Sequence, residues 1–164
     1  MAHATSHGSA QGSPRRRITA LVAGALCAAA FAPAVLAAGA TVTRGDVAAF
    51  AAGTGMSITG RAQMIRTADG TTIVSVHVEG LAADTAYGSH VHQAACAVGD
   101  ADGHYKNDPA GPAAPPNEIW PAFTTNASGV GNGNAIVDWT AGTAAVSVVV
   151  HAPGGAKIAC ADLS

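Results

Sequence analysis

The sequence predicts an all-β fold, a sandwich or barrel of seven or eight short antiparallel strands. Runs of Val, Ile and Thr alternate apolar with polar at period two. Clusters of Gly, Pro, Asn and Asp interrupt these runs at short intervals. Apolar residues make up 49% of the 164 residues and charged ones only 11%, which suits one globular domain and excludes a disordered chain.

Residues 1–38 read as an export signal that is cleaved. Arg15-Arg16-Arg17 is a basic start, Ile18 to Leu36 is apolar, and Val35-Leu36-Ala37 offers small residues for cleavage. The apolar stretch is near spanning length, so a retained anchor is the alternative. Arg16-Arg17 also permits a twin-arginine signal. His3, His7 and Cys27 would leave with this segment. A secreted or cell-envelope location follows.

Residues 39–55 are Ala-rich and read as an N-terminal arm or a first strand. The domain proper is expected over 56–164. Met56 to Thr67 alternates, with Ile58, Gly60, Ala62 and Met64 on one face. Asp69-Gly70 is a hairpin signal. Thr71 to Glu79 alternates again, with Val74, Val76 and Val78 inward and His77 on the opposite, surface side. Ala86 to Gln93 reads as a strand, and Ala94 to Pro121 as a long loop of the kind that usually carries function. Phe123 to Asn126, Asn132 to Trp139, Ala144 to His151 and Ala156 to Asp162 complete the strands, with Pro153-Gly154-Gly155 as the last turn. Trp139 alternates with Val137 and reads as packing, while Trp120 reads as a cap on the barrel side.

Removal of residues 1–38 takes three of the eight basic residues and none of the ten acidic ones, leaving five against ten, a formal charge of −5. No basic run remains, so nucleic acid and anionic membrane surfaces are excluded as partners, and the mature domain is not membrane-embedded. The mature chain keeps Cys96 and Cys160, and an exported pair is expected as a disulfide rather than as two buried thiols.

Histidines carry the chemistry. His90 and His92, two apart on a strand, point to one face and can reach one metal ion. His104 follows in the loop, and His151 ends the apolar run Val146-Ser147-Val148-Val149-Val150. Four imidazoles without a nearby thiolate suit copper first and zinc second.

These residues resemble the copper/zinc superoxide dismutase family. Gly88-Ser89-His90-Val91-His92-Gln93 resembles its Gly-Phe-His-Val-His signature, and Gly103-His104-Tyr105 its Gly-Pro-His-Phe. Val149-Val150-His151 resembles its Val-Val-His, and Lys157-Ile158-Ala159-Cys160 its Arg-Leu-Ala-Cys. The motifs run in the family's order from about Met56 to Leu163. The resemblance implies an eight-stranded Greek-key β-barrel or sandwich. It implies that His90, His92 and His151 bind copper, that His104 replaces the bridging imidazolate, and that Cys96 and Cys160 replace the intrasubunit disulfide.

Two departures resemble the family's copper-only branch. No histidine lies between His104 and His151, so the zinc ligands are missing and no zinc is expected. Only five residues separate His151 from Lys157, so the long loop there is missing too. His104 then needs another partner for its far nitrogen, and Glu118 is favoured over Asp108 for that place. Lys157 stands where the family has a substrate-attracting arginine; it keeps the charge but not the fork. The resemblance implies an exported superoxide dismutase that cycles Cu(II)/Cu(I), with His104 delivering a proton and Lys157 attracting superoxide. The alternative is a copper-binding protein that buffers or delivers the metal without efficient turnover.

Overall fold

The computed structural model describes residues 39–164 and, before them, residue 1 alone. The expected export segment, with His3, His7 and Cys27, therefore lies outside the described residues. The strands are β1 (Thr41–Asp46), β2 (Ala48–Ala49), β3 (Thr59–Arg66), β4 (Thr72–Glu79), β5 (Ala86–His92), β6 (Phe123–Thr124), β7 (Gly131–Val137), β8 (Ser147–His151) and β9 (Lys157–Asp162). One short 3-10 turn spans Ala51–Gly53. None of the described helices is long and apolar enough to cross a membrane.

Two antiparallel sheets result, with strand orders β1-β3-β4-β7 and β2-β9-β8-β5-β6. The all-β expectation holds, with one correction. The described strands number nine rather than eight, because the Ala-rich arm supplies both β1 and β2. The sheets stay separate, so of the two forms expected the structure is consistent with the sandwich and not with the closed barrel. The chain changes sheets at Val47, between β1, which pairs with β3, and β2, which pairs with β9.

The core lies between the sheets. Ala62, Met64, Val74, Val76 and Val78 point inward from β3 and β4, as their alternation predicts. Val91, Val148, Val150, Ala159 and Ala161 meet them from the other sheet. Each fully buried aliphatic side chain stabilises the fold by roughly 1.5–3 kcal/mol.

Strand β8 breaks the alternation, since all five of its residues are buried. Val148 and Val150 face the main core, while Val149 joins Cys160 and Ala101 in a small cluster on the other face. The segment between β5 and β6 covers that face. It is zipped to β5 through Gln93 N–H to Gly103 O (3.1 Å), Tyr105 N–H to Val91 O (2.9 Å) and Val91 N–H to Ile119 O (3.0 Å). The disulfide Cys96–Cys160, with Cα atoms 5.8 Å apart, fastens the same segment to β9. The expected cysteine pairing is thus present, and it is compatible with an extracellular location.

Candidate metal centre

Strand register builds the site. On the loop-covered face of the second sheet, His90 pairs with Val149, His92 with Ser147, and Gly88 with His151. Pleating puts His90, His92 and His151 on one side. Gly88, opposite His151, lies beside both rings: a Cβ there would be in ordinary contact, 3.5 Å from His151 Cβ and 3.6 Å from His90 Cε1. An isolated bridge between His92 and His104 carries the fourth ring in from the loop. One potential ligand atom from each of the four histidines lies within 4.8 Å of all the others. The structure therefore brings together all four residues that the sequence singled out. His77 stands apart on the outer face of β4, where its ring contacts Asn132 (2.8 Å) and Glu79 (3.0 Å).

Proton accounting decides which nitrogens are free. His92 Nδ1 faces only carbonyl oxygens, Ala101 O at 3.2 Å and Asp102 O at 3.1 Å, so it carries the proton and donates. His151 Nδ1 donates to Gly155 O at 3.1 Å. Both Nε2 atoms of these neutral rings then present lone pairs, and they lie 3.3 Å apart. Two lone pairs at that distance with no hydrogen between them repel unless a cation sits against both. The same distance is spanned by two imidazole nitrogens that share an ion at about 2.0–2.1 Å. His90 Nδ1 is buried with no hydrogen-bond partner.

Glu118 settles the fourth ring. The bridge between Lys106 and Glu118 folds the loop so that this carboxylate reaches His104. Glu118 Oε2 accepts from His104 Nδ1 at 2.7 Å and from Trp120 Nε1 at 2.7 Å. His104 Nε2 is therefore left free, and the orientation matches a metal-binding histidine held by a carboxylate. Glu118 is 1% exposed and its Oε1 has no partner, so a carboxylate is buried in need of positive charge nearby. Asp108 does other work: its Oδ1 accepts from Ala110 N at 2.9 Å and its carbonyl from Asn117 Nδ2, closing a turn. Trp120 is not a cap on the fold's side; its ring lies 4.9 Å from that of His90 and walls the site. Trp139 packs against the core, as its alternation predicts.

Burial pushes His90 down to about 3 and His92 down to about 4, with His104 the next contributor to each. His151 is lowered too, again mainly by burial. The Lys157 ammonium lowers both His92 and His151, so its charge is felt at the rings. These three histidines stay neutral and ready to bind a cation at ordinary pH.

Lys157 pairs with His151 across β8 and β9 and reaches over the face. Its Nζ donates to Asp100 O at 2.8 Å and Asp102 O at 2.7 Å. Those carbonyls belong to a left-handed turn: Gly99, Asp100, Ala101 and Asp102 have φ of 54°, 51°, 67° and 51°. Glycine adopts this freely and aspartate tolerates it, but it costs Ala101 about 1–2 kcal/mol. Nothing in the sequence announces this turn, since three of its four residues are not glycine. The carbonyls that orient His92 were missed for the same reason. A cavity of about 630 Å³ opens on the far flank of the disulfide, lined by Phe50, Cys96, Cys160 and Asp162 among others.

A scan of the chain against protein-family models finds no match, and neither does a search of the curated proteins.

Proposed function

We propose that His90, His92, His104 and His151 hold one copper ion, and that the protein is an exported enzyme converting superoxide to dioxygen and hydrogen peroxide. The observation that carries the metal site is the pair of facing lone pairs on His92 and His151, 3.3 Å apart. The donor set supports copper. It is all imidazole nitrogen, the nearby cysteines are taken by their disulfide, and divalent affinity for such sites peaks at copper. A second, zinc-binding set of histidines is missing among the described residues, where His77 is the only other one and stands on the outer face. The strand order and the motif series support a Greek-key arrangement like that of the superoxide dismutases.

Bound copper supplies one-electron oxidation and reduction of superoxide. The chain's own residues do the rest. His90, His92 and His151 fix the ion's place. His104 holds a proton at Nδ1 for Glu118, and its Nε2, once off the ion, would be free to carry a second proton to the reduced oxygen product, which is general acid catalysis. Its side chain is 29% exposed, so solvent can reprotonate it. Trp120 shuts water out on one side. Lys157 is the positive charge nearest the rings and favours an anionic substrate in a domain of net negative charge.

A copper-holding protein without turnover is the second reading. It is favoured by the Lys157 ammonium, whose hydrogen bonds are engaged by two carbonyls. One copper-loaded sample separates the two: metal content and superoxide decay are measured together. One copper per chain with fast catalytic decay is expected. One copper with no decay above free buffer leaves the holding role. A stoichiometric zinc beside the copper, or no copper at all, overturns both.

A further inference from the structure

The turn over residues 99–102 connects two functional side chains. Asp102 O accepts from both His92 Nδ1 and Lys157 Nζ, at 3.1 Å and 2.7 Å. Ala101 O accepts from His92 alone, and Asp100 O from Lys157 alone. Three successive carbonyls of one left-handed turn are thus shared between a histidine and an ammonium. Successive carbonyls aimed one way repel each other and gather negative potential, and a cation among them relieves both effects. Ala101 is fully buried against Val149 and the disulfide, so the middle of the turn is packed down. Its exposed rim rests on Lys157 and on Gln93, whose Nε2 donates to Asp102 Oδ2 at 3.1 Å. Without the ammonium, a strained segment would lose its main polar anchor and could relax away from His92.

We propose that Lys157 is a positioning residue: by clamping this left-handed turn it holds the acceptors of the His92 Nδ1 proton, and so sets how tightly and in what geometry the four histidines take their metal. This deepens the copper reading and rests on it. It also gives Lys157 a duty separate from attracting an anion. A charge serving only to attract an anion would oppose a cation at rings that feel it, so its removal alone would tighten copper binding rather than weaken it.

The test compares the full-length wild-type protein with Lys157→Met, Lys157→Arg and the double variant Lys157→Met/Ala101→Gly. Copper affinity is read by competition with a chelator, and ligand geometry by the absorption and paramagnetic resonance spectra of the copper-loaded proteins. Lys157→Met is expected to weaken copper binding by about tenfold, the usual effect of losing a group that orients a ligand, and to shift both spectra. Lys157→Arg should restore them, since a guanidinium also donates to two carbonyls. Ala101→Gly removes the strain that drives relaxation, so the double variant should recover part of the loss. Unchanged affinity and spectra in Lys157→Met overturn the proposal while leaving copper binding intact. If the wild type takes up no copper, the functional reading fails, and hydrogen exchange in the metal-free proteins then decides the clamp separately. The Asp102 amide, bonded to Gly99 O at 3.1 Å, should exchange faster in Lys157→Met, and equal rates overturn the clamp.

Discussion

Strands β4 and β8 lie in facing sheets and each carries a histidine, yet the two histidines have opposite chemistry. Strand β4 alternates buried and half-exposed positions, so His77 lies on a solvated face. Both its nitrogens have partners, and hydrogen bonds donated to Asn132 Oδ1 and then Glu79 Oε1 raise its protonation range. Strand β8 is buried throughout, because a long covered loop roofs the face that would otherwise meet water. There His151 keeps one nitrogen for a carbonyl and points the other at a second lone pair. The strands differ little as strands. The covering segment turns a surface histidine position into a buried one where the ring could hold a metal.

Removing what fastens that cover should have the largest effect. The bridge Cys96–Cys160 closes 64 residues, worth about 4 kcal/mol in the chain-entropy model. Cys96→Ser/Cys160→Ser is expected to lose about that much in urea unfolding, with faster hydrogen exchange in the loop and β9 before β3 and β4. A loss spread evenly over both sheets would show that the cover is not a separate unit.

Exchanging the histidines tests the comparison directly. His92→Ala should reduce copper affinity by more than about 100-fold, beyond the loss caused by removing an orienting group. His77→Ala should leave it unchanged. Chelator competition reads both, and equal losses would mean that the four-histidine cluster is not where copper binds.

The smallest effect is the pH response of the metal-free protein. Unfolded histidines take up protons below about 6.5. Folded His90 and His92 resist down to about 3 and about 4. Between these limits the unfolded chain binds more protons, so stability rises with pH and levels off above the upper one. His77 works the other way: its raised value favours the fold at low pH and that help fades as pH rises through it. Thermal melts across this range should climb for the wild type and climb less for His90→Gln. Parallel profiles would place the cause elsewhere.

The sequence made the alternating strands legible because each has one wet face and one dry face. It also made the four histidines and the cysteine pair legible, through residue type and order. Strand β1 was open to doubt because none of its residues is buried and their exposure gives no clean period. The two alanines of β2 carry no pattern at all. Barrel closure depends on which edges meet, and side-chain periodicity does not record that. Glu118 was already favoured over Asp108 by the resemblance, and the fold adds how it arrives: the Lys106–Glu118 bridge brings its carboxylate onto His104.

The second sheet begins and ends in stubs. Strands β2 and β6, at its two margins, are two residues each. A long unpaired margin is a template on which another chain can add itself, and short ones blunt that hazard. The sheet that gathers the histidines therefore offers neighbouring copies little backbone to zip onto.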